Sequence, residues 1–244
     1  MNFSERLGIF LQRTVWQRRV GSWEHEASPG LERVIEAVVA IASVGSEDRV
    51  VDLGCGSGQV ALEVAPFAKS VLGVDISGRM VDRMLERARL ERMDNVSGRV
   101  SALETLSLPQ GEASVIVSNY VLHHLSDASK AKVVKLCFNW LEPGGRLVIG
   151  DMMFGRGATS SDRQVIAGKI KLLASKGVGG YWRIAKNAIR YLFRVQEKPV
   201  SRERWLAMFA DAGFEAIDSS PVVAEASVVF GRKPQAGSAT GSCG

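Results

Sequence analysis

The sequence predicts an α/β protein with a doubly wound, mostly parallel sheet, and three observations support this prediction. From Arg49 onward, apolar β-branched runs alternate with helix-compatible segments, as in a parallel sheet covered on both faces. The first run leads into three glycines at alternate positions, a turn that opens directly into a helix. The second run ends at Asp75, an acid placed to meet a ligand bound at that turn.

Residue type justifies each element in turn. The alternation of strand-like and helix-like segments predicts strands over 49–53, 70–75, 96–100, 114–119 and 146–151, and a last pair over 214–219 and 224–231. Helical spacing predicts helices over 59–66, 77–93, 127–140 and 202–212. Ser77 and Asp127 are candidate N-caps, and Gly213 ends the last helix.

We predict four regions along the chain. They are an N-terminal helical cap over 1–45, a core over 46–151 and 201–233, a basic helical insertion over 152–200, and a disordered tail over 234–244. The insertion holds ten basic and two acidic residues, so its net charge is +8 and the rest of the chain is negative. Tyr181 and Trp182 begin a helical pattern in this insertion and are predicted to contact an acceptor.

The glycine turn is not that of a dinucleotide-binding protein. The sixth position of the dinucleotide pattern is Gln59 rather than glycine, and Asp52 precedes the first glycine by two residues. An acid at that place suits a ligand with positive charge rather than a pyrophosphate. The run Asp52–Gly58, then Asp75, Leu122-His123-His124-Leu125 and Leu141–Gly145 resemble, in this order, the motifs of class I S-adenosylmethionine-dependent methyltransferases.

This resemblance implies a Rossmann-like methyltransferase fold, in which the seventh strand is antiparallel, and S-adenosylmethionine as the cofactor. It also implies roles for individual residues. The methionine part would contact Asp52, Gly54, Gly56, Gly58 and Asn119, the ribose Asp75, and the adenine Ile76, Ala102 and Leu103. The family's acid near the adenine is missing here, because Ala102-Leu103 stands in its place, and Glu104 follows.

Three further residues are candidates for chemistry on the acceptor. His123 or His124 could deprotonate a hydroxyl, since an imidazole titrates near neutral pH; alternatively, one or both pack against the following helix. Asp151, at the end of the fifth strand, is a candidate substrate contact or a solvent-facing acid. We predict no metal site, because too few ligand-type side chains accompany these residues.

The sequence therefore predicts a methyltransferase acting on a small or lipid-like, possibly acidic acceptor, with O-methylation preferred. Peripheral association with an anionic membrane surface is a further expectation from the basic insertion. The alternatives are an RNA- or protein-directed methyltransferase, although nucleic acid is not the favoured partner, and a non-catalytic cofactor-binding protein. Three cysteines without paired spacing, no apolar run of membrane-spanning length and a charged N-terminus favour a cytoplasmic protein.

Overall fold

The computed structural model describes residues 29–154 and 198–236. Helices lie over Pro29–Ala42 (α1), Ala61–Val64 (α2), Gly78–Leu90 (α3), Asp127–Trp140 (α4) and Arg202–Ala212 (α5). Strands lie over Arg49–Leu53 (β1), Ser70–Asp75 (β2), Val96–Val100 (β3), Ala113–Asn119 (β4), Leu141–Met152 (β5), Glu215–Val223 (β6) and Ala226–Arg232 (β7). Short 3₁₀ turns occupy Ala65–Phe67 and Leu122–His124. The rest of the predicted N-terminal cap, most of the insertion and most of the tail lie outside the described residues.

The strands form a seven-stranded sheet in the order β3-β2-β1-β4-β5-β7-β6. The pairs of β1 with β2 and β4, of β2 with β3, and of β4 with β5 are parallel. β7 runs antiparallel to both β5 and β6. The predicted doubly wound sheet with an antiparallel seventh strand is confirmed.

Apolar residues on the two faces of this sheet build two core layers. Val115 and Val117 of β4 belong to the layer that also contains residues of α1 and α3, while Ile116 between them belongs to the layer on the other face. Since successive strand residues point to opposite faces, a central strand of this kind must be apolar throughout. Trp205 and Phe209 of α5 are fully buried in the second layer. The sheet is thus covered on both sides, and its strand ends are left to carry the site.

Several predicted boundaries differ from the observed ones. β5 begins at Leu141 rather than at residue 146, because Leu141 pairs with Ala113 before a register shift. The predicted helix over 59–66 is reduced to α2 and a 3₁₀ turn. α3 ends at Leu90, and Arg92 beyond it has a φ of 58°, a left-handed conformation that ends a helix.

Of the two predicted N-caps, Ser77 occupies the N-cap position of α3 and Asp127 is wrong. Ser126, not Asp127, precedes α4, and its hydroxyl accepts a hydrogen bond from the backbone N–H of Ser129 at 3.0 Å. Ser77 precedes α3, but its side chain makes no capping bond. The backbone N–H of Ser77 instead donates to Asp75 Oδ1 at 2.8 Å, so this helix start is tied to the end of β2. Among the described helices, none is long and apolar enough to cross a membrane.

Candidate cofactor and acceptor site

A cavity opens at the carboxyl ends of β1, β2 and β4. β1 lies between β2 and β4, which is where the winding of the sheet reverses and where such folds bind ligands. Counting the part open to solvent, the cavity encloses about 900 Å³. Its lining includes eight of the nine residues predicted to bind the cofactor: Asp52, Gly54, Gly56, Asp75, Ile76, Ala102, Leu103 and Asn119.

The three glycines of the turn after β1 meet different surroundings. All have positive φ, at 76° for Gly54, 52° for Gly56 and 91° for Gly58, a region that side chains other than glycine rarely adopt. A Cβ on Gly54 would lie 2.3 Å from a methyl of Val121, and one on Gly58 would lie 2.6 Å from Met84 Cγ. A Cβ on Gly56 would meet nothing within 4 Å. Gly54 and Gly58 are therefore needed for packing, and Gly56 leaves space for a ligand.

Two carboxylates sit on either side of this turn. Asp52 is buried, and its Oδ2 accepts a hydrogen bond from the backbone N–H of Ala61 at 3.1 Å. Burial raises the pKa of Asp52 to about 7, and the nearby Asp75 carboxylate adds to the rise. Burial also raises the pKa of Asp75, although its Oδ2 accepts from the backbone N–H of Gly56 at 3.0 Å. Both acids would be stabilised in their charged forms by a ligand that brings a cation or hydroxyl donors.

Asn119, at the end of β4, also lines the cavity. Its Oδ1 is buried and makes no hydrogen bond within the described residues. A buried acceptor of this kind costs free energy unless a ligand supplies a donor. An ammonium group would satisfy it and would also lie in the field of Asp52.

The opposite end of the cavity is apolar with one acid at its edge. Ala102 and Leu103 are buried, and Ile76 joins them in the lining. The backbone N–H of Ser101 donates to the Asp75 carbonyl at 2.9 Å, which fixes this loop beside the end of β2. Glu104 also lines the cavity, two residues after the place where the predicted family pattern would put an acid.

The structure separates the two histidines of the turn after β4. His124 lines the cavity next to Asn119. His123 is buried outside this lining, and its ring Nδ1 lies 2.5 Å from Asp151 Oδ1. Adjacent residues in a 3₁₀ turn point in different directions, so only one of the pair reaches the cavity among the residues described here.

Asp151 was predicted as a substrate contact, and its observed surroundings differ from that prediction. The side chain is fully buried, and its oxygens accept from the backbone N–H groups of His123 and Met152 at 2.8 and 2.7 Å. The carboxylate faces the main chain and the His123 ring rather than the cavity. Tyr181 and Trp182, the other predicted acceptor contacts, lie outside the described residues.

Comparison with known proteins then decides the family. A family model described as a methyltransferase domain matches residues 50–145. The chain is 30% identical over 167 residues to the uncharacterized methyltransferase OB1106 of Oceanobacillus iheyensis, covering 66% of this chain and 76% of that protein. The chain belongs to the methyltransferase family.

Two further similarities are informative about this methyltransferase. It is 31% identical over 139 residues to the 27-O-demethylrifamycin SV methyltransferase of Amycolatopsis mediterranei, covering 54% of this chain and 50% of that one. The solved N-methyltransferase NodS of Bradyrhizobium japonicum, in complex with S-adenosylhomocysteine, matches 91% of this chain and 98% of its own with a TM-score of 0.64 at 15% identity. That second likeness shows the fold alone.

The methyltransferase uses S-adenosylmethionine, and the cavity fits this cofactor. Gly56 leaves room for close approach by the methionine part, and Asp52 with Asn119 Oδ1 would accept its ammonium. Asp75 would accept from the ribose hydroxyls, and the apolar wall of Ile76 and Leu103 would pack on the adenine. S-Adenosylmethionine supplies an activated methyl group on a sulfonium sulfur.

Sequence reasoning missed Tyr120, which lines the cavity between Asn119 and His124. Tyr120 has a φ of 54°, and non-glycine residues held in this region cluster at functional sites. Burial raises the pKa of its phenol well above the ordinary value, and the carboxylates of Glu225 and Asp151 add to the rise, so the hydroxyl stays protonated. No feature of the sequence predicts that Tyr120 adopts a left-handed backbone conformation.

No group of three or more metal-ligand side chains occurs within residues 29–154 and 198–236. The expectation that the methyltransferase needs no metal stays a prediction.

Proposed function

We propose that this S-adenosylmethionine-dependent methyltransferase transfers the methyl group to a hydroxyl of a small or lipid-like acceptor, with His124 as the base. The observation that carries the proposal is the position of His124 in the lining of the cavity beside Asn119 and Tyr120. An imidazole there can take the hydroxyl proton as the oxygen attacks the methyl carbon in line with the sulfonium sulfur. S-Adenosylhomocysteine leaves, and the proton stays on the ring until solvent removes it.

Positioning supplies most of the remaining rate. The methyl transfer needs the acceptor oxygen and the methyl carbon in near-attack contact, and the protein achieves this by holding both partners in one cavity. Asp52 and Asn119 would fix the methionine end, so that the methyl group points toward Tyr120 and His124. The protonated Tyr120 phenol is a donor available to orient an acceptor oxygen.

The charge of the cavity bears on the class of acceptor. Asp52, Asp75 and Glu104 supply carboxylates to the lining, and no Lys or Arg lines it among the residues that the structure describes. The positive charge needed to bind an acidic acceptor would therefore have to come from the ten Lys and Arg residues of the 152–200 region. A neutral alcohol or phenol needs no cationic side chain to bind, and we favour this acceptor class.

The test is transfer of isotopically labelled methyl from S-adenosylmethionine to a panel of phenols, aliphatic alcohols, fatty acids, amines and bulk RNA. We expect labelled phenol or alcohol products, and we expect His124→Ala to lower their turnover by about 10²–10⁴ while cofactor affinity stays near that of the parent. His123→Asn, which removes the neighbouring imidazole but keeps a hydrogen-bond donor toward Asp151, is the control. Labelled amine or RNA products without labelled alcohols would refute the proposed acceptor class.

We further propose peripheral contact with anionic membrane surfaces through the basic 152–200 region. Its net charge of +8 supports this, since each basic residue near an anionic surface contributes on the order of 1 kcal/mol. Co-sedimentation with phosphatidylserine-containing liposomes at low salt should exceed that with neutral liposomes and should fall at physiological salt. Equal recovery with both liposome types at low salt would refute this contact.

A further inference from the structure

Both oxygens of the buried Asp151 carboxylate accept hydrogen bonds from the main chain. Oδ2 accepts from the backbone N–H of His123 at 2.8 Å, and Oδ1 accepts from that of Met152 at 2.7 Å. Oδ1 also lies 2.5 Å from His123 Nδ1, so this nitrogen carries the proton that joins them. A main-chain N–H can only donate. An asparagine at position 151 would therefore place its NH₂ group, also a donor, opposite the N–H of either His123 or Met152.

The orientation of His123 fixes the residues that bound the acceptor end of the cavity. The rings of His123 and His124 are in contact, with centroids 4.0 Å apart. Tyr120 meets the His123 ring edge-on, with centroids 6.1 Å apart. A rotation of the His123 ring would therefore displace both neighbours that line the cavity.

The same turn also covers the cofactor loop. We call residues 120–125 the site turn. Within it, the methyl groups of Val121 occupy the space where a Cβ on Gly54 would be, at 2.3 and 2.5 Å. Movement of the site turn would therefore remove the cover from the first glycine of the cofactor loop.

A fully buried lysine ties the site turn to the chain that follows residue 197. Lys130 Nζ donates to the carbonyl of Leu125 at 2.8 Å and to that of Lys198 at 2.6 Å. The backbone N–H of Lys198 donates to the His123 carbonyl at 2.6 Å. Asp151 lies a few residues before residues 155–197, and Lys198 directly after them, so the chain on both sides of that stretch is bonded to the site turn.

We propose that Asp151 and His123 are a positioning pair that holds the site turn against the cofactor loop, with Lys130 securing the same turn from the other side. His123 acts through the hydrogen bond from its Nδ1 and not by exchanging protons with an acceptor. The consequence for His124 rests on the function proposed above, whereas the consequence for cofactor binding through Val121 and Gly54 does not.

Three variants test the pair. His123→Asn keeps an N–H donor near the place of Nδ1, and His123→Leu keeps bulk without a donor. Asp151→Asn keeps the shape and removes one acceptor. The readouts are the dissociation constant of S-adenosylhomocysteine by calorimetry and the ring signals of His124 by NMR, with unfolding temperature measured alongside. The chain has three histidines, so spectra in a His25→Ala background contain only the pair under study.

We expect His123→Asn to bind S-adenosylhomocysteine within about twofold of the parent, with His124 signals as sharp as the parent's, although loss of a ring 4.0 Å away moves their positions. His123→Leu and Asp151→Asn should bind about tenfold more weakly and broaden those signals, since hydrogen bonds to a charged acceptor are among the stronger ones. Should Asp151→Asn fail to fold, the two His123 variants still decide the question.

Two outcomes would overturn the proposal. In one, His123→Leu keeps the parent's affinity and sharp His124 signals while only its unfolding temperature falls, which is the behaviour of a purely structural residue. In the other, His123→Asn is as impaired as His123→Leu, so that donation of a hydrogen bond is not what the ring supplies. Cofactor affinity and the His124 signals are both measured without an acceptor and without turnover. Their outcome therefore does not depend on whether His124 is a base.

Discussion

The proton on Asp52 should control how tightly the cofactor binds. In the free protein, burial raises the pKa of this carboxyl to about 7, so it is largely protonated in mildly acidic solution. The ammonium of the bound cofactor would favour the ionised form and displace the proton. Affinity for S-adenosylhomocysteine, which keeps the ammonium, should therefore rise as pH rises toward 7.

The size of the effect follows from the fraction of ionised Asp52. With a free-protein pKa of about 7, that fraction is roughly 3% at pH 5.5 and about 50% at pH 7. If the complex stays ionised throughout, affinity rises about 16-fold between these values, or roughly 1.6 kcal/mol. Binding should release about one proton at pH 5.5 and about half a proton at pH 7.

Isothermal titration calorimetry in buffers of different ionisation enthalpy measures both the affinity and the protons released. Keeping the pH at or below 7 keeps the ligand's own amine charged. Asp52→Asn should flatten the pH dependence and abolish most of the proton release. Glu104→Gln removes a carboxylate from the adenine end of the same cavity and should leave both unchanged.

A parent protein whose affinity is flat between pH 5.5 and 7, with no buffer-dependent heat, would refute this reasoning. Stability of the cofactor-free protein provides a second check. The pKa of Asp52 is higher in the folded than in the unfolded chain, so its contribution to stability is present below about pH 4 and is lost as pH rises through 7. Asp52→Asn should therefore gain stability relative to the parent when both are compared at pH 8 instead of pH 4.

Three other predictions concern the glycine turn, the ribose contact and the hydrogen bonds of Lys130 to the site turn. Gly56→Ala should weaken S-adenosylhomocysteine binding at least about tenfold and should lower the unfolding temperature less than Gly58→Ala does. Both positions have a positive φ that strains alanine, but a Cβ at Gly56 meets open space and one at Gly58 lies 2.6 Å from Met84 Cγ. Equal thermal losses in the two variants would contradict this. Asp75→Ala should lose about 2–4 kcal/mol of cofactor affinity by calorimetry, and an unchanged dissociation constant would remove Asp75 from the ribose site. Lys130→Met should lower the free energy of unfolding in urea by about 2–4 kcal/mol, since it leaves the buried carbonyl of Leu125 and the partly buried carbonyl of Lys198 without this donor. Lys132→Met, on the same helix but exposed, is the control.

The sequence by itself determined the sheet and the position of the glycine turn at its edge. β1 and β2 begin and end at the predicted residues, because apolar runs bounded by polar residues or glycine leave little freedom in where a buried parallel strand can lie. β3 also has the predicted bounds, although it is mostly exposed. The glycine turn and Asp75 lie where the spacing put them, because a strand, a tight turn and a helix start are all local features. The seventh strand and its antiparallel direction came from the resemblance to methyltransferases rather than from the residues alone.

Only the tertiary structure decided which side chains at the end of β4 line the cavity. His123 and His124 are neighbours with the same chemistry, and what separates them is the Asp151 carboxylate, 28 residues later in the chain, which binds one ring and leaves the other at the cavity. Asp151 could not be recognised as buried, since the polar groups that satisfy it are main-chain N–H groups that any residue carries. The left-handed backbone of Tyr120 is likewise imposed by contacts distant in sequence, its N–H donating to the Gly150 carbonyl at 2.9 Å. Local patterns fix where strands end, but long-range hydrogen bonds fix which side chains at those ends can meet a substrate.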